Sequence, residues 1–398
     1  MQQEQKSSLE TLDSAAHKPS SGNFFPTLDG VRGLAVTSVV AFHTIYLNPK
    51  VPLENAAFSL VKAGWMGVPI FFVLSGFLIS HTVFKSRDNF EVFPYALRRA
   101  AKIIPPFYLS IFIFCVFFYF WKGTPGLVWS ALAFATTAAH FINNEPDVNV
   151  VYWTLYIEIH FYVLFPLVYF ALRRITLHAE FAVFAIFAIV PFLIRICAYP
   201  HGTMDWQQRF GMANYFPRAF DGFSLGIAFS ALLANPGCRK WMASRAPAFA
   251  AAGVFLLCGT YLVFAYLDLR AGPSGLLHGN SPASIYEAFH FLPALSTFLI
   301  LFTVFLQPKN LLYRFLTWTP LSFTGIISYE WFLFHRPPAL FISQHLPDAS
   351  GNALIYLART FLPDLLTYAM AVLIYFFYSG PILGYTKRWL DRRRAPSD

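Results

Sequence analysis

Charge is scarce in this sequence. Only 12% of the 398 residues are Asp, Glu, Lys or Arg, about half the share of an ordinary soluble domain. With 57% hydrophobic residues beside it, the chain has too little polar surface to cover a water-soluble globule. Cysteine is scarce too. Cys115, Cys197, Cys238 and Cys258 are scattered in or beside apolar segments, with no CxxC and no metal-ligand spacing, so neither a disulfide framework nor a metal site is expected. The first 22 residues hold no apolar core; a cleaved signal peptide is therefore not expected, and the first hydrophobic helix does the targeting. Acidic residues are outnumbered, 20 against 29 basic ones, for a formal charge of +9. The Lys and Arg fall in short clusters between apolar runs, which reads as positive-inside topology and not as a nucleic-acid surface.

What the chain has in quantity is apolar length. Aromatic residues make up 19%, with Phe alone at 46. Hydropathy and breakers place spans at 31–48, 67–84, 105–121, 151–172, 178–198, 216–234, 247–269, 287–306, 320–343 and 353–378, each able to cross a hydrocarbon core about 30 Å thick. The expected fold is an all-α polytopic transmembrane bundle of about ten spans with both termini cytoplasmic, because the basic loops then share one side. Residues 1–27 read as a disordered cytoplasmic tail, 28–386 as one membrane domain and 387–398 as a basic cytoplasmic tail. The apolar stretch 127–142 is short, and an eleventh span there would put every later basic loop outside. It reads as a re-entrant or interfacial helix.

Several polar residues interrupt these runs. In LDGVRGLAVTSVVAFHTIYL (28–47), Arg32 and His43 are eleven residues apart, which returns to the same helical face about 16 Å further on. They read either as a topology charge and a satisfied core histidine, or as two groups facing a cavity. Ser75, in WMGVPIFFVLSGFLIS, stands beside Gly76; the pair suits close helix packing or close approach of a ligand. In YALRRAAKIIPPFY, Arg98, Arg99 and Lys102 precede a Pro-Pro pair. Arg99 and Lys102 can reach one phosphate from one helical face, or serve only topology. Glu158 lies mid-span with Tyr162 one turn on. A buried carboxylate there either pairs with His43 or Arg32, binds substrate, or tethers helices. Arg218 and Asp221, in PRAFDGFSLG, either pair with each other or line a polar mouth for a hydroxylated acceptor. Ser328 and His335, in SYEWFLFH, share a face. The Arg-Pro-Pro that follows predicts a kink or break, and with it a cavity wall, unless His335 is a satisfied core residue.

Taken in order over roughly 300 residues, LDGVRGLAV, GVPIFFVLSGFLIS, RRAAKIIPP, YWTLYIEIHFYVLFP, RAFDGFSLG and SYEWFLFH resemble the acyltransferase-3 family of integral-membrane acyltransferases. His43 matches the family's essential histidine and Arg32 its partner. The family's paired arginines appear as Arg99 and Lys102, which keeps the charge and loses one planar fork. The resemblance implies an enzyme of the bacterial inner membrane. It would take an acyl group, usually acetyl, from cytoplasmic acyl-CoA and pass it to a hydroxyl of a carbohydrate such as a cell-surface polysaccharide or lipid-linked sugar. His43 would be the catalytic base and Glu158 would orient it. Arg32, Arg98, Arg99 and Lys102 would hold the donor's phosphates, and Ser75, Tyr162, Arg218, Asp221, Ser328 and His335 would meet substrate. A proton-coupled transporter or flippase with His43 and Glu158 as a relay is the competing reading.

Overall fold

The computed structural model describes residues 25–45, 52–85, 90–123, 149–173, 175–198, 216–271, 283–306, 310–347 and 352–394. These residues form helices and connecting turns. The elements are α1 (Pro26–Thr44), α2 (Pro52–Lys62) continued by the 3-10 turn Ala63–Met66, α3 (Gly67–Lys85), α4 (Val92–Lys122), α5 (Tyr152–Leu172), α6 (Leu177–Ala198), α7 (Phe216–Ala234), α8 (Pro236–Arg270), α9 (Ala283–Leu306), α10 (Leu311–Leu316), α11 (Thr319–Ile326), α12 (Ser328–Phe334), α13 (Arg336–His345), α14 (Ala353–Ile374) and, after a π turn, α15 (Gly380–Arg394). Among the described residues, six helical stretches are long and apolar enough to cross a membrane, and 178–193 and 219–234 are shorter apolar helices. The chain is an integral, multi-pass helical membrane protein.

Lateral packing fixes where the site lies. α3 runs against α7 so closely that a Cβ on Gly76 would come within 2.3 Å of the Phe223 carbonyl oxygen, and one on Gly226 within 2.2 Å of that of Val73. Small residues at the crossing let backbones approach that closely. α11 crosses α1 in the same manner: a Cβ on Gly325 would stand 1.7 Å from the Asp29 carbonyl oxygen. α1 is thereby clamped at its N-terminal half by the segment that leads into α12. Phe161 of α5 stacks on Phe223 of α7, with ring centroids 4.0 Å apart and planes 18° from parallel.

The structure differs from the reading of the sequence at four places. The Pro105-Pro106 pair was expected to precede a span, yet α4 runs through it as one 31-residue helix. Its first turns carry the basic stretch, which hydropathy scores as loop. The basic stretch 235–246 likewise forms the first turns of the 35-residue α8, opened by a cap in which Asn235 accepts from the amides of Gly237 and Cys238. The boundary placed at 386/387 coincides with no break, since α15 continues to Arg394. The expected span 320–343 is segmented. It turns at Ile327 and again at His335, ahead of Pro337 and Pro338. Pro337 has no N–H to give the Leu333 carbonyl, and that oxygen instead accepts from the Asn149 side chain at 2.7 Å. The stretches 1–24 and 127–142 lie outside the described residues.

Candidate active site

α1, α3, α4, α5 and α12 line a partly open chamber with a cavity volume of about 70 Å³. Its polar lining comes from Arg32 on α1, Ser75 on α3, Lys102 on α4, Thr154, Glu158 and Tyr162 on α5, and Ser328 and Tyr329 on α12; Phe71, Phe72 and Phe332 supply apolar wall. Six of the expected site residues, Arg32, Ser75, Lys102, Glu158, Tyr162 and Ser328, from five separate motifs, thus share one cavity.

The wall is held by hydrogen bonds. Ser75 Oγ donates to Glu158 Oε1 at 2.6 Å, and Tyr162 Oη donates to the same oxygen. Tyr162 is steadied from behind: its carbonyl accepts from Tyr95 Oη at 3.0 Å, and the Arg99 guanidinium lies 5.5 Å over its ring. Tyr329 Oη donates to the Ile103 carbonyl at 2.9 Å, tying α12 to α4. Arg32 pairs with Asp29 one turn back on α1 at 3.5 Å. Lys102 lies in the electrostatic field of Arg32, Arg99, Glu158 and Asp29. Three basic side chains stand against two acidic ones here, a basic excess that suits an anion.

The histidines form a second centre. His335 is wholly buried, and its Nε2 lies 3.0 Å from His43 Nδ1. The two ring centroids are 5.0 Å apart. His43 Nδ1 also faces the Val39 carbonyl at 3.0 Å, while His335 Nδ1 faces the carbonyls of Phe332 at 2.8 Å and Trp331 at 3.2 Å. Arg336 donates to the His43 carbonyl at 3.2 Å. Phe332 links the two centres: its ring lines the chamber and its carbonyl receives His335.

Several expected residues sit elsewhere. Glu158 does not contact His43 or pair with Arg32. Its carboxylate is taken up by Ser75 and Tyr162, so the expectation that it orients His43 is corrected: the group against His43 is His335. Arg98 is exposed and does not line the chamber; its side chain, turned by about 100° from that of Arg99, lies in the field of Arg394, Arg99, Glu91 and Asp391. Asp221 is buried on α7 and accepts from the Gly222 amide at 2.7 Å; it does not line the chamber. Arg218 is in the first turn of the same helix, and its side chain lies outside the described residues. Tyr329, Thr154 and Asp29 were not singled out from the sequence. Asp29 had a legible signal, three residues before Arg32 on one helical face.

The family model that describes an acyltransferase domain matches residues 25–391. The chain belongs to that family. Within it, the chain is 23% identical over 383 residues to O-acetyltransferase OatA of Staphylococcus aureus, covering 92% of this chain and 58% of that protein. It is 30% identical over 164 residues to peptidoglycan O-acetyltransferase OatA of Listeria monocytogenes, covering 37% of this chain and 24% of the relative. The chain therefore spans little more than half the length of the staphylococcal relative. No solved structure matches it. The family match takes in both the chamber and the histidine pair.

Proposed function

We propose that the chain is a membrane O-acetyltransferase that moves an acetyl group from acetyl-CoA to a carbohydrate hydroxyl, in the bacterial inner membrane. The observation that carries this reading is the arrangement along α1. Arg32 opens into a cationic chamber, and eleven residues further on the same helix holds His43 against His335. A CoA thioester has an anionic nucleotide end and a long thin arm. Arg32 and Lys102, with Arg99 behind Tyr162, supply the charge for the first, and the aromatic side of the chamber suits the second.

In this reading His43 Nε2 takes the proton from the acceptor hydroxyl as its oxygen attacks the thioester carbonyl. The C–S bond then breaks, the acetyl ester forms on the sugar, and the CoA sulfur leaves and takes up the proton. Glu158 serves the chamber: it anchors Ser75 and Tyr162 and offsets part of the positive charge. The printed names of the relatives favour O-acetylation, and one of them names peptidoglycan; a peptidoglycan glycan is accordingly the first acceptor to try.

The test is transfer of radiolabelled acetyl from acetyl-CoA to a peptidoglycan fragment by the purified protein in lipid nanodiscs. Label in the glycan that disappears with His43→Ala is the expected result. Absence of transfer to any hydroxyl acceptor, together with proton-driven movement of a solute in proteoliposomes, would favour a transporter.

A further inference from the structure

His43 and His335 are 292 residues apart in sequence, and what the structure adds is the direction of the hydrogen bond between them. Carbonyl oxygens only accept. His335 Nδ1 faces two of them, Phe332 at 2.8 Å and Trp331 at 3.2 Å, so that nitrogen carries the proton. In a neutral ring the other nitrogen is then a bare acceptor. His335 Nε2 is therefore the lone pair that meets His43 Nδ1 at 3.0 Å. His43 Nδ1 also faces a carbonyl, Val39 at 3.0 Å, so it too carries a proton and shares it between Val39 and His335. The chain of donors ends at His43 Nε2, which is left unprotonated and has no hydrogen-bond partner among the described residues.

We infer that His335 is a positioning residue that, with the Val39 carbonyl, fixes His43 in the Nδ1–H tautomer and aims a bare Nε2 at the acceptor hydroxyl. The inference rests on the reading of His43 as the base. It also moves His335 from the substrate-contacting set to a place behind the base, in keeping with its complete burial beside a partly exposed His43. The Nδ1 contacts are to the carbonyls three and four residues back on α12, and Arg336, next in sequence, donates to the His43 carbonyl at 3.2 Å and so ties the start of α13 to the end of α1.

Four full-length proteins in nanodiscs decide it: wild type, His335→Leu, His335→Gln and His43→Ala. Leu removes the acceptor that meets His43 Nδ1, whereas a Gln side-chain oxygen restores one. The expected outcome is a fall in kcat of about 100-fold or more for His335→Leu, with KM for acetyl-CoA within about twofold of wild type and at least about tenfold of the loss regained in His335→Gln. Histidine 15N spectra of wild type should show a protonated Nδ1 and a bare Nε2 on His43, assigned by the signals lost in His43→Ala. An unchanged kcat in His335→Leu overturns the inference, as does an equal loss in Leu and Gln variants with KM raised in both. If His335→Leu does not fold, the wild-type spectrum and His335→Gln decide, and a proton on His43 Nε2 overturns it. Turnover retained in His43→Ala would instead remove the base role itself, whatever tautomer the spectrum shows.

Discussion

The Ser75–Glu158–Tyr162 cluster offers the sharpest energetic prediction. One carboxylate oxygen accepts from Ser75 Oγ at 2.6 Å and from Tyr162 Oη, and Lys102 interacts electrostatically with the same carboxylate. A hydrogen bond to a charged group contributes about 1.5–3 kcal/mol. Ser75→Ala and Tyr162→Phe each remove one donor and leave the carboxylate the other, so each should cost about 1–2 kcal/mol of stability or donor affinity. Glu158→Gln keeps an acceptor of the same shape and discards the charge. In a double-mutant cycle of Ser75→Ala with Glu158→Gln, the coupling should therefore be about 1–2 kcal/mol, because the two groups touch and share a partner. The assay is a thermal melt in detergent combined with CoA titration for the four proteins of the cycle. Simple additivity, to within about 0.5 kcal/mol, would refute the reasoning by showing that Glu158 does not hold the chamber wall through Ser75.

Other expectations follow from single contacts. Gly226→Val places a branched side chain against the α3 backbone, where even a Cβ would lie 2.2 Å from an oxygen; it should lower stability by about 1–3 kcal/mol or more, read as a fall in melting temperature or loss of a monodisperse peak. Arg99→Ala removes the guanidinium over Tyr162 and should weaken CoA binding about 5- to 30-fold, whereas Arg98→Ala, at an exposed position outside the chamber lining, should leave affinity within about twofold; equal effects from the two would contradict the geometry. Lys102→Arg, which restores the fork, should bind CoA at least as tightly as wild type, a point that calorimetry checks directly.

Much of the fold was legible because its determinants are local. The Arg32 and His43 stripe follows from helical period alone, and the break near His335 follows from two prolines. Helix lengths were harder to read. The basic first turns of α4 and α8 lack the apolar signal by which a span is recognised, yet they continue helically because polar residues outside the hydrocarbon form helix just as readily. The partners of the polar residues were not legible at all. Nothing local pairs Ser75 with Glu158, 83 residues on, or His43 with His335. Helical periodicity tells which residues share a face of one helix and is silent on which helix comes to meet it. Hence Glu158 was placed against His43 from the sequence, and tertiary packing put His335 there instead.

The central claim is a division of labour along α1, with donor binding at the Arg32 end and chemistry at the His43 end. CoA affinity and acetyl turnover measured side by side on Arg32→Ala and His43→Ala test it most directly. The account predicts weakened CoA binding in Arg32→Ala, and wild-type CoA affinity with no turnover in His43→Ala. Turnover surviving in His43→Ala, or CoA binding lost there and retained in Arg32→Ala, would contradict it.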